Sequence, residues 1–137
     1  KFYIAIGENL VKPSSLLTAS AIYLALIGIL LQVDPIASVG LDANASAVLI
    51  TNIRVPLSLL LAIAVINWFA RKSDASSARD AIFLGNTVAF AFVAIGDFVA
   101  SVMSGGDSSS LVFSGIALLF AIAFFVVGRA NMSTVTK

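Results

Sequence analysis

The sequence predicts an all-α fold, a four-transmembrane-helix up-down bundle, and three observations carry that expectation. Residues are 60% hydrophobic and only 11% charged, against roughly 25% charged residues in a soluble domain. The apolar residues fall in four long blocks, as they do when lipid is the solvent. Lysine and arginine then cluster at both ends of the chain and in its middle connection, and both ends on one side of the membrane require an even number of crossings.

The whole chain, 1–137, reads as a single membrane domain, with spans at about 15–33, 47–70, 78–103 and 108–128. Residues 1–13 are too short to span; Phe2, Tyr3, Ile4, Ile6, Leu10 and Val11 among Lys1, Glu8 and Lys12 suit an interfacial segment. The first block, Ser15 to Val33, is 19 residues, or about 28 Å of helix against a hydrocarbon core of about 30 Å. A cleaved signal peptide is the rival reading. Its apolar region runs to roughly 7 to 15 residues, so the longer block reads as a retained helix.

The second block carries Arg54 and Pro56 and closes on Trp68-Phe69-Ala70-Arg71-Lys72, an aromatic anchor followed by positive charge. Pro56 removes a backbone donor and predicts a kink or a tightened first turn. Before the third block, Ser77 and Asp80 fit the S-x-x-D capping box. Gly105-Gly106 supply its stop, because glycine tolerates the left-handed geometry that follows a helix end. Asp107 or Ser108 caps the fourth block, and residues 129–137 form a polar tail.

Orientation follows from charge. Lys1 and Lys12 precede the first span, Arg71, Lys72 and Arg79 join the second to the third, and Arg129 and Lys137 follow the fourth; the other two connections carry only Asp34, Asp42 and Asp107. The positive-inside rule therefore puts both termini and the middle connection in the cytoplasm, with the chain multi-pass in a bacterial plasma (inner) membrane. The sequon Asn44-Ala45-Ser46 falls outside and is read as chance.

Composition also narrows the chemistry. With no histidine and no cysteine, the chain lacks the commonest general base, the commonest transition-metal ligand and any thiol nucleophile. A net charge of +1 gives no ground for nucleic-acid binding. No catalytic residue and no metal site are predicted.

Arg54 and Asp97 are the only ionisable side chains well inside the spans. Arg54 lies seven residues from the outer start of its helix and Asp97 six from the outer end of its own, each about 10 Å deep. A central charge costs about 2.5 to 3.5 kcal/mol on insertion scales, so such residues usually pair or face a cavity. An ion pair pinning two helices is the structural reading; a proton path, ligand pocket or switch is the functional one. A relay needs several titratable groups, and the structural reading is adopted. Asn86, three turns before Asp97, shares its face and is its candidate polar neighbour. Asn67 does not share a face with Arg54 and is expected at the inner interface.

Small residues form stripes: Ala21, Ala25 and Gly28 in the first span, Gly85, Ala89, Gly96 and Ala100 in the third, Ser114, Ala117, Ala121 and Gly128 in the fourth. Such stripes let helix backbones approach closely in lipid. The third and fourth spans hold Phe83, Phe90, Phe92, Phe98, Phe113, Phe120, Phe124 and Phe125, which either wall a slot for a quinone, carotenoid or chlorophyll tail or fill gaps and face lipid. Gln32, Asn67 and Asn86 are weak candidate pigment ligands.

From Arg54 onward, VPLSLLLAIAVINWFARKSDASSARDAIFLGNTV resembles small four-helix bacterial integral membrane proteins of uncharacterised or DoxX-like type. Those share an arginine near the outer end of the second span, a W-x-A-R close and a basic connection. The resemblance covers residues 45 to 104 and implies a fold more than an activity. The functional expectation is a non-catalytic, structural accessory subunit of a larger energy-transducing membrane complex, photosynthetic or respiratory, packed against neighbouring subunits, lipid or pigment. The alternative is a small homo-oligomeric transporter or ligand carrier with a polar site at Arg54 and Asp97.

Overall fold

The computed structural model describes residues 11–34, 44, 46–103, 105 and 108–132. Four helices account for nearly all of them: α1 (Pro13–Val33), α2 (Ala47–Ala70), α3 (Ser77–Met103) and α4 (Ser108–Ala130). Each is long and apolar enough to cross a membrane, so the protein is an all-α, multi-pass membrane protein. The segment expected at the interface before residue 11 and the end of the tail lie outside the described residues.

Helix ends fall where local chemistry sets them. α1 starts at Pro13, two residues earlier than expected, because proline lacks the amide that a first turn would leave unpaired. The Lys12 carbonyl accepts from the Ser15 and Leu16 amides. α2 is capped by Ser46, whose hydroxyl accepts from Leu49 N at 3.2 Å. It runs unbroken through Pro56 to Ala70.

At α3 the expected capping box is corrected by one residue. Ser76, not Ser77, is the cap: its hydroxyl accepts from Arg79 N at 3.3 Å and its carbonyl from Asp80 N at 2.9 Å. Ser77 is already helical, and Asp80 contributes as a carboxylate in the positive first turn. Gly105 has φ +82°, the left-handed geometry expected of the stop after α3. α4 extends to Ala130, so Arg129 belongs to the helix and not to the tail.

The chain divides into two compact units, one of Leu17–Arg71, the other of Lys72–Lys137 with the start of α1 up to Leu16. In the first, α1 and α2 form an antiparallel hairpin: Ser20 meets Asn67, Gly28 meets Leu61, and Gln32 meets Arg54 and Ser58. Gly28 is needed for that approach. A Cβ there would stand 2.8 Å from Leu61 Cδ2 and 2.9 Å from its Cγ, inside any normal contact.

The second unit is an antiparallel hairpin of α3 and α4. α3 buries Phe83, Asn86, Phe90, Ala94 and Ser101, and α4 buries Ala117, Ala121, Phe124 and Val127, one helical face each. Phe124 is the hub, 5.4 Å from Phe83 edge-on and 5.9 Å from Phe90 stacked; Phe90 also stacks on Phe120 at 4.8 Å. Such pairs contribute about 0.5–1.5 kcal/mol each beyond area burial.

Overpacking a tight helix crossing costs about 1–3 kcal/mol. Gly28→Leu should therefore lower the thermal unfolding midpoint in detergent. Gly85→Leu, where an added Cβ has no atom within 4 Å, should leave it unchanged. Equal losses would show that the α1–α2 approach is not as close as described.

Candidate functional site

In a bilayer a side-chain donor has no water to turn to, so its first recourse is the helix carbonyl one turn back. Thr51 donates to Ala47 O, Ser58 to Arg54 O, Asn86 to Ile82 O and Thr87 to Phe83 O, all at 2.8–3.0 Å. These bonds neutralise the polar residues within their own helices. Other polar links among the described residues cross between helices.

The first joins α1 to α2 near one end of their hairpin, where Asn67 and Ser20 are both completely buried. Asn67 Nδ2 donates to Ser20 Oγ at 3.0 Å, and Ser20 Oγ donates to Leu17 O at 3.1 Å. This corrects the expectation that Asn67 reaches the inner interface. Its face was read against Arg54 on the same helix, whereas its partner lies on α1. The signal was the antiparallel pairing of two polar residues near the same ends of their spans.

The second link lies toward the other end of the hairpin. Gln32 Nε2 is 3.0 Å from both Arg54 O and Ser58 Oγ, so the Arg54 carbonyl accepts from two side chains in the turn holding Pro56. The Gln32 amide is thus engaged in joining the helices. The third link closes the α3–α4 hairpin, where Ser114 Oγ donates to Ala94 O at 2.8 Å.

Of the charged residues singled out, Arg54 belongs to the first unit and Asp97 to the second. The Arg54 side chain is exposed, and its hydrogen bonds above use only its backbone carbonyl. Asp97 is half-buried on α3. It falls between Ala94 and Ser101 in the spacing of the buried face, and Asn86, 4% exposed, shares that face as expected. The helix ends from which their depths are counted, Ala47 and Met103, are those expected.

Arg71 forms a third charged feature. Its guanidinium carbon stands 3.2 Å from the Trp68 ring centroid, a cation–π contact that attaches positive charge to the aromatic anchor. Its backbone amide caps α2 on Asn67 O at 3.1 Å. Nη1 is buried with no hydrogen-bond partner among the described residues; the indole face supplies its attraction.

The phenylalanines sort into two groups. Phe83, Phe90, Phe120 and Phe124 pack against one another inside the second hairpin. Phe92, Phe98, Phe113 and Phe125 are exposed and face whatever surrounds the hairpin. Among the described residues no three His, Cys, Asp or Glu side chains group closely enough to hold a metal ion.

A double-mutant cycle isolates the buried link. Ser20→Ala and Asn67→Ala should each destabilise the protein in detergent, with a coupling of about 0.6–2 kcal/mol in the pair. Zero coupling would mean the two side chains do not meet.

Known protein families, curated proteins and solved structures offer no match to this chain.

Proposed function

We propose that this protein is a non-catalytic accessory subunit that packs against other chains of a larger, energy-transducing bacterial membrane complex. The observation that supports the reading is the open face of α3. Gly85, Ala89, Gly96 and Ala100 lie along one side of that helix, and Gly85 and Gly96 are exposed, with no atom within 4 Å of an added Cβ. The hairpin itself uses a different face of α3, the one bearing Phe83, Phe90 and Ala94. In lipid, small residues favour helix association because they let backbones approach closely, so an open small-residue face suits a neighbouring helix.

Gently extracted protein should migrate with a larger assembly, and Gly85→Leu with Gly96→Leu should release it while leaving its own unfolding midpoint unchanged. Migration as a free monomer or homodimer, with substrate flux in vesicles, would favour a carrier instead.

The proposed orientation places both termini and the α2–α3 connection in the cytoplasm at the plasma (inner) membrane, supported by the positions of Lys12, Arg71, Lys72, Arg79 and Arg129. The chain has no native cysteine, so single cysteines report cleanly. Cysteine at Asn44 or Ser109 should react with an impermeant reagent from outside, and cysteine at Ala75 should not. Equal labelling at all three would defeat the orientation.

The same reading keeps the sequence expectation that Arg54 and Asp97 form a structural ion pair, with Asn86 as polar neighbour. Their matched depth supports it. Removing one partner leaves an uncompensated charge, so breaking such a pair costs more than the pair itself contributes. Arg54→Gln and Asp97→Asn should each lower stability in detergent, and the double variant should lose less than the sum. Additive losses would mean the side chains do not meet, with Arg54 reaching out to the headgroups instead.

A further inference from the structure

The outer surface of the α3–α4 hairpin carries a groove of about 360 Å³ where the start of α3 meets the end of α4. Phe83, 4% exposed, forms its floor, and the exposed side chains of Leu84, Phe125 and Met132 form its walls. Asp80 and Arg129 stand at its polar end. The volume is at the low end for small-molecule sites, which run to about 300–1,000 Å³. It is sufficient for part of an amphiphile.

Depth says what kind of amphiphile. α4 is 23 residues long, about 34 Å of helix against a hydrocarbon core of about 30 Å. Arg129, next to the last residue of α4, and Asp80, in the first turn of α3, therefore lie at headgroup level. Leu84 and Phe125 lie one turn deeper, at acyl-chain level. The groove thus has a charged mouth and an apolar wall in the order in which a phospholipid presents its own parts. Arg129 is positioned for this, its guanidinium carbon 6.0 Å from the Phe125 ring centroid, over the wall itself.

The two charges have opposite sign, and that selects among headgroups. A guanidinium suits a phosphodiester, and a carboxylate beside it suits a primary ammonium, which donates hydrogen bonds. A purely anionic headgroup would gain from Arg129 but meet Asp80 with like charge. A choline headgroup has its cation covered by methyl groups and donates nothing to a carboxylate.

We propose that this groove is a specific phospholipid site that takes phosphatidylethanolamine, the phosphate at Arg129, the ammonium at Asp80 and one acyl chain along Leu84 and Phe125. The site is independent of whether the protein is an accessory subunit or a carrier.

The test is native mass spectrometry of the full chain, released from nanodiscs holding equal fractions of phosphatidylethanolamine, phosphatidylcholine and phosphatidylglycerol. The chain should retain phosphatidylethanolamine over each of the others by about threefold or more, the scale of one or two partly exposed charge contacts. Arg129→Gln should reduce retention of phosphatidylethanolamine, and Asp80→Asn should abolish the preference over phosphatidylglycerol. Leu84→Trp, which fills the groove while leaving both charges in place, should also displace the lipid and covers the case in which a charge variant fails to fold. Lys72→Gln and Asp74→Asn, outside the groove, serve as charge controls. Equal retention of the three lipids, or loss of preference in the controls as large as in the groove variants, would overturn the proposal.

Discussion

Water is absent from the hydrocarbon core, and every polar group carried into it has to find its partner inside the protein. That constraint explains first why the described residues are almost wholly helical: a helix satisfies its own backbone along its length. It explains next why the hydroxyl and amide side chains of Thr51, Ser58, Asn86 and Thr87 turn back onto carbonyls of their own helices. Only where two helices approach closely does a side chain do better by reaching across, as Asn67, Gln32 and Ser114 do.

The two hairpins meet this requirement differently. α1 and α2 are joined by polar links near both ends with a glycine between, so Gly28 sets the separation at which the Asn67 amide can reach Ser20. α3 and α4 are joined chiefly by aromatic packing around Phe124, with Gly128 letting α4 approach Phe83, whose Cβ would be 3.1 Å from an added methyl. Polar links contribute modest energy in a membrane because the separated helices also find partners for those groups. Their larger effect is on register: a slip along either helix would leave Asn67 buried without Ser20.

Much of this was legible in the sequence, and the rest was not for a definite reason. The helix bounds fall within two residues of the expected blocks because lipid imposes a length and a composition on each block independently. The α3 stop at Gly105 was readable because left-handed backbone singles out glycine. The cap at Ser76 was missed by one residue, since adjacent serines offer equivalent hydroxyls and only the point where the chain turns into helix decides between them. Asn67 was misplaced because its partner depends on how α1 and α2 align, information that no single span contains. The same holds for the stripes. The spacing of Gly28 and of Gly85 looks alike in sequence, yet one is pressed against Leu61 and the other is open.

The central claim is that four continuous helices, each long and apolar enough to cross a membrane, span it, including the stretch of α2 that carries Arg54 and Pro56. Amide hydrogen–deuterium exchange in nanodiscs tests it most directly, because amides closed in a helix and shielded by lipid exchange only when the helix opens. The account predicts protection for hours across the interiors of all four helices, through Arg54 and Asp97 alike, with fast exchange in the α2–α3 connection at Lys72–Ala75. Exchange within seconds along the interior of any one helix would show that it does not span the membrane and would contradict the fold described.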